Sequence, residues 1–228
     1  MSRASGGAGA GPGPAASKPA ASKPAVLKPA AAYAALRADP VFGPWVERIG
    51  PPRLRRVTEE PFGYLARAIV YQQLAGAAAS TIHGRFVAAL GGKVTPRRIL
   101  AAPEGRLRGA GLSQGKLAAV RDLAAKASRL HLADLPRLDD HEVERRLTSV
   151  RGIGPWTAHM FLMFYLRRAD VWPAGDLGVR MGYARIHDLA EAPREKELVP
   201  LGDPYRPWRS AAAWYCWRAL ETDVTGRG

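Results

Sequence analysis

Residues 147–158 read L-T-S-V-R-G-I-G-P-W-T-A, and this stretch constrains the fold more than any other part of the chain. Gly152 and Gly154 flank one apolar residue, Ile153. Two backbone positions can therefore take positive φ while Ile153 turns into a core. Pro155 suits the first turn of a helix, where its missing N–H is not needed. The pattern predicts a helix ending near Thr148, a tight turn and a second helix over residues 156–167, a hairpin of two helices. The second helix would begin with unpaired N–H groups at its positive end, and the glycines leave room for a phosphate there. A tight interhelical turn without a ligand accounts for the same residues. A dinucleotide-binding loop does not, because no β-branched strand precedes it and the third glycine of G-x-G-x-x-G falls at Thr157.

Charge narrows the choice. Lys and Arg number 34 against 20 Asp and Glu, a net charge of +14, which favours a polyanion such as nucleic acid as partner. Cys216 is the single cysteine, so no internal disulfide, Cys-ligated zinc or iron–sulfur cluster can be assembled. That suits a reducing cytosol. The longest apolar run, residues 160–166, is too short to span a bilayer, and residues 1–30 lack a signal-peptide core. The expectation is a cytoplasmic protein with no membrane role.

Residues 1–30 are rich in Ala, Gly, Pro and Ser-Lys-Pro, and read as a disordered basic tail with almost nothing to bury. Arg3, Lys18, Lys23 and Lys28 place +4 of the charge there. Such a tail is either an arm that holds DNA loosely through phosphates or an inert linker. Residues 31–228 form the folded domain. Phe62, Leu65, Ala66 and Ile69 recur at helical spacing, predicting a buried helix over residues 61–74. A second covers 77–90 and carries Ile82 and Phe86. Thr95-Pro96 opens a short helix, and Ser113 precedes one with Leu117, Val120, Leu123 and Ala124 on one face. Asp139 or Asp140 caps the helix that enters the hairpin. Another helix covers 177–186, and residues 206–210 open a last one through Trp214, Trp217 and Leu220. Loops are short except across 190–206. Nothing alternates as a strand would, so the fold class is all-α.

The combination V-x-G-I-G-x-W-T-A over residues 150–158, followed by W-P-A-x-D ending at Asp176, resembles the helix-hairpin-helix DNA glycosylases. Within them it is most similar to the DNA-3-methyladenine glycosylase II (AlkA-type) branch. The resemblance covers residues 61–220 and implies a two-lobed helical fold with a cleft between the lobes. The β-rich N-terminal domain of larger members is expected to be absent.

The resemblance also implies site residues. Asp176 would be the catalytic carboxylate, stabilising the oxocarbenium-like sugar and orienting a water; its neighbours alone favour a helix N-cap, and the flanking W-P-A-x-D motif reverses that. Trp156 stands where strand-cleaving relatives carry a Schiff-base lysine, so base release without lyase activity is implied. Its ring would stack on alkylated purines in the base pocket, or else pack at a helix start. Trp217 would line that pocket, with Trp214 its rival, and Met160 replaces a tyrosine of the relatives. In A-I-V-Y-Q-Q-L-A, Gln73 would plug the duplex where the base has left, with Gln72 beside it and Leu74 the alternative. Gly152, Gly154 and Thr157 would hold one phosphate, and Ser113 and Lys116 a second. The carbonyls of Thr148, Val150 and Ile153 would hold structural Na+ or K+; no other cofactor is implied. The five histidines show no ligand spacing and read as surface or incidental.

The implied function is excision of alkylated purines from double-stranded DNA containing damaged bases, by a monomer using base flipping. Deaminated bases or uracil as substrate, and a non-catalytic lesion-binding role, are the alternatives.

Overall fold

The computed structural model describes residues 24–53 and 57–222. The described residues form helices α1 (Pro29–Arg37), α2 (Phe42–Ile49), α3 (Pro61–Tyr71), α4 (Gly76–Ala89), α5 (Pro96–Ala101), α6 (Glu104–Gly109), α7 (Gln114–Leu130), α8 (Asp140–Thr148), α9 (Pro155–Met160), α10 (Leu177–Ile186), α11 (Glu195–Leu201) and α12 (Arg209–Glu221). Among them the one β-type contact is an isolated bridge between Val26 and Arg168. Two packing groups emerge. Helices α3 to α7 pack together, and α8 and α9 pair as a hairpin joined to them through Gln72, Asp122 and Lys126, while α1 and α2 return to pack with α12, which itself lies along α10. Both ends of the described chain thus meet in the second lobe.

Local signals explain most of these helices. Pro61 opens α3, which buries Phe62, Leu65, Ala66, Ile69 and Val70 along one face. Ser113 caps α7 by accepting the Lys116 N–H at 3.3 Å. The predicted face of Leu117, Val120, Leu123 and Ala124 is buried. Thr95 caps α5 in the same way. Of the two candidates before α8, Asp139 is the cap and accepts the Glu142 N–H at 2.8 Å; Asp140 instead pairs with the buried Arg168 at 3.0 Å.

Several boundaries depart from the sequence expectation. The predicted helix over 61–74 ends at Tyr71, because Gln73 adopts φ 56°, a left-handed conformation that stops the ladder. The helix predicted over 156–167 is α9, then one π turn over Phe161–Tyr165, in which Phe161 and Tyr165 stack at 4.6 Å. Arg167 at φ 56° ends it. Ile82 is half-buried and packs against the core beside the fully buried Phe86. The long excursion across 190–206 holds α11 and a 3₁₀ turn at Asp203–Tyr205, tied down by the Trp172 indole donating to the Leu198 carbonyl at 2.9 Å.

The tail expectation fails at its last residues. Leu27 is 2% exposed, and its N–H donates to the Arg167 carbonyl at 2.7 Å. The Ala169 N–H donates to the Ala25 carbonyl at 2.9 Å. One leucine among the prolines has enough apolar area to hold the segment down. Residues 1–23 lie outside the described residues. No described helix is long and apolar enough to cross a membrane.

His187 is not incidental either. Half-buried, it stacks on Tyr183 at 4.0 Å and lies 3.0 Å from the Tyr205 hydroxyl. Burial holds its imidazole below the ordinary value of 6.5, against a smaller upward pull from Asp39. The unfolded chain therefore takes up this proton first as the pH falls, so stability is expected to decrease below about pH 6.5. Chemical melts of wild type and His187→Gln on either side of that pH check it; the variant should show the shallower dependence.

Candidate active site

Asp176 anchors the site. It is the N-cap of α10, and its Oδ1 accepts the Val179 N–H at 2.8 Å. The same oxygen accepts the Trp217 indole N–H at 2.8 Å, and Oδ2 accepts the Trp156 indole N–H at 2.6 Å. Three donors from three helices fix one carboxylate, so the cap and the candidate catalytic group are the same residue. Oδ1 has both lone pairs engaged, whereas Oδ2 keeps one for a sugar or a water.

Trp156 connects this carboxylate to a hollow of about 830 Å³ lined by Tyr64, Arg67, Tyr71, Trp156 and Met160 among others. The tryptophan is 51% exposed. It is therefore presented rather than packed away, since a core indole would be covered. Trp217 and Asp176 do not line the hollow. Trp217 was expected in the pocket wall, but it sits on Asp176, half-buried, against Gly178 of α10 and 5.8 Å from Phe164. Trp214, its rival, packs edge-on to Tyr215 under Arg218.

Sequence reading missed the opposite wall. Tyr64, Arg67 and Tyr71 lie at i, i+3 and i+7 of α3, the face turned away from the core residues Leu65 and Ile69. That spacing was legible. Arg67 is held by Glu59 at 3.0 Å and lies over the Tyr64 and Tyr71 rings at 5.1 and 5.8 Å.

The hairpin follows α8 as expected, with Ile153 3% exposed. Gly152 takes φ 79°, but Gly154 takes φ −94° as the extended N-cap of α9, so one glycine and not two supplies the left-handed position. Among the described residues the N–H groups of Gly152 and Gly154 make no backbone bond. Thr157 is buried at 5% exposure and its hydroxyl accepts from Gln72, so it is not a surface donor to phosphate. Gln72 also donates to the Gly152 carbonyl at 2.9 Å. It ties α3 to the hairpin, so its amide is engaged within the protein. Gln73 and Leu74 stand at the mouth of the hollow, Leu74 at 37% exposure.

Lys116 is not poised for a second phosphate. Its ammonium donates to the Val70 carbonyl at 2.7 Å, and burial lowers its pKa. Ser113 is exposed and engaged as the α7 cap. The carbonyls of Thr148, Val150 and Ile153, expected to hold Na+ or K+, do not fit a cation well. Val150 accepts the Ile153 N–H at 3.1 Å, which leaves its oxygen one lone pair. The Lys126 ammonium sits 2.6 Å from the intervening Ser149 carbonyl, and the nearby carboxylate, Asp122, is engaged by Lys126 and the Arg151 N–H. A second cation would meet a fixed positive charge with no counter-charge to spare. Among the described residues no cluster of His, Cys, Asp and Glu could hold a metal ion.

A two-lobed helical fold, a Gly-Ile-Gly hairpin and a carboxylate held by two indoles beside an aromatic hollow place the chain in the class of helix-hairpin-helix DNA glycosylases. The chain belongs to the HhH-GPD superfamily of base excision DNA repair proteins, whose sequence model matches residues 66–200. It is 37% identical over 180 residues to DNA-3-methyladenine glycosylase 1 of Schizosaccharomyces pombe, covering 76% of this chain and 79% of the relative. It is 31% identical over 179 residues to the DNA-3-methyladenine glycosylase of Saccharomyces cerevisiae, covering 73% and 60%. The fold superposes on the Schizosaccharomyces pombe 3-methyladenine DNA glycosylase in complex with abasic DNA, with TM-score 0.75 and 33% identity over 84% of this chain and 97% of that one. A DNA-3-methyladenine glycosidase from Bacillus halodurans matches with TM-score 0.75 and 32% identity, over 82% and 88% of the two chains.

Proposed function

We propose that this protein is a monofunctional DNA glycosylase that hydrolyses the N-glycosidic bond of alkylated purines, of the 3-methyladenine type, after flipping them from the duplex. The observation that carries the reading is the Asp176 carboxylate, fixed by the Trp156 and Trp217 indoles and joined through Trp156 to an aromatic hollow large enough to take a base. The activity in the names of the fission and budding yeast relatives supports the substrate class.

The steps follow from the geometry. Amides at Gly152 and Gly154 receive a backbone phosphate. The extruded base enters between Trp156 and the α3 wall of Tyr64 and Tyr71, where an electron-poor alkylated ring stacks on electron-rich faces. As the C1′–N bond lengthens, positive charge grows on the sugar, and the free lone pair of Asp176 Oδ2 stabilises it and orients the attacking water. With tryptophan at position 156 no amine adds to the sugar carbon, so the strand stays intact. Gln73 and Leu74 at the mouth of the hollow are the groups available to fill the gap in the duplex.

Incubation with methylated duplex DNA tests this. Chromatography should detect free methylated purine, and the strand should break only after alkali. Tight DNA binding with no base released from alkylated, deaminated or oxidised duplexes would replace this reading with a non-catalytic lesion-binding one.

A further inference from the structure

We propose that Asp122 and Lys126 of α7 form a charge clamp that presets the hairpin turn for phosphate, with Lys126 supplying the positive charge the turn needs. The proposal rests on the hairpin's role as a phosphate holder.

Three points on one stripe of α7, at Ala119, Asp122 and Lys126, meet Gly152, Arg151 and Ser149 of the turn. A Cβ on Gly152 would lie 2.9 Å from the Ala119 Cβ, so the turn is seated directly on the helix and only glycine permits it. The Asp122 Oδ2 accepts the Arg151 N–H at 2.7 Å. The Lys126 ammonium donates to that same oxygen at 2.7 Å and to the Ser149 carbonyl at 2.6 Å. Ser149 is the C-cap of α8, so the ammonium stands at the negative end of that helix.

The charges make this more than a packing contact. Asp122 is part of the wall of the hollow formed by residues 148–154, where the hairpin meets its ligand. A carboxylate there orders the Arg151 amide but repels a phosphate. Lys126 removes that repulsion while adding a second attachment to the turn. Burial raises the Asp122 pKa, and the bonds from Lys126 and the Arg151 N–H together outweigh it, leaving the carboxyl below its ordinary value. The clamp therefore persists across the neutral range. The built-in ammonium then stands in for a bound cation at the turn.

The test is a double-mutant cycle on binding to an abasic duplex, read by fluorescence anisotropy, with thermal melts confirming that each variant folds. Lys126→Met should weaken binding by about tenfold, and adding Asp122→Asn should recover part of that loss, because the uncompensated carboxylate is gone. Lys126→Arg should stay close to wild type. Wild-type affinity should be the same in potassium as in choline at equal ionic strength. Unchanged binding by Lys126→Met, purely additive losses in the double variant, or a wild-type requirement for potassium would each overturn the clamp. Failure of the wild type to bind the duplex at all would instead refute the hairpin's phosphate role.

Discussion

Asp176→Asn is expected to lose base release by about a thousandfold or more while binding an abasic duplex nearly as well as wild type. The loss has two sources. An amide carries no charge to stabilise the sugar cation, and it has one acceptor oxygen where the carboxylate has two. In the wild type three donors converge on Asp176: the Val179 N–H and the indoles of Trp156 and Trp217. An Asn oxygen turned to Val179 and Trp217 leaves its NH₂ facing the Trp156 N–H, donor against donor. Trp156 is then released from its tether, so base stacking should become less well ordered as well. A modest drop in thermal stability, on the order of 1 kcal/mol for the lost Trp156 hydrogen bond, should accompany the kinetic loss, since asparagine keeps the cap. Single-turnover excision on methylated duplex, alongside anisotropy on the abasic one, separates chemistry from binding. Full activity in this variant would remove Asp176 from the reaction.

Gly182→Ala is expected to be the most damaging small substitution in the protein. Gly182 lies in α10 where it crosses α12, and a Cβ there would collide with the Cys216 carbonyl and lie 2.7 Å from its Cα. Backbone cannot step aside as a side-chain tip can. The α12 face is already lined with small buried residues, Ala212, Ala213 and Ala219, and Cys216 itself has no exposed surface. Overpacking of this kind is expected to cost about 3 kcal/mol or more, a fall in melting temperature of roughly 10 °C for a chain of this size. Function should suffer in the molecules that do fold, because the helices pushed apart carry the two halves of one hydrogen bond: Asp176 caps α10 and Trp217 lies on α12. Gly84→Ala is the control. Gly84 sits in α4 with nothing within 4 Å of its added Cβ, so alanine there should be neutral or slightly stabilising through helix propensity. Equal melting temperatures for the two variants would show that α10 and α12 are not locked at Gly182.

The amino-acid sequence by itself determined the elements that depend on near neighbours. Ser113, Thr95 and Asp139 cap their helices because a short side chain reaches amides three residues on. The hairpin is legible because Gly152 admits φ 79° and Pro155 opens a helix. Asp176 reads from its near neighbours as the cap it is, and only the resemblance of W-P-A-x-D to a family motif singles it out for the site. Only the tertiary structure decided what depends on residues distant in the chain. Trp217 meets Asp176 across 41 positions and so serves the carboxylate rather than the hollow. Thr157 and Lys116, which look like phosphate ligands, are consumed by Gln72 and the Val70 carbonyl. Leu27 leaves the tail for the core through contacts with residues 167–169. The division has a physical cause. Capping and turn preferences act within one helical turn, whereas the pairing of a polar side chain is settled by whichever partner packing brings within about 3 Å.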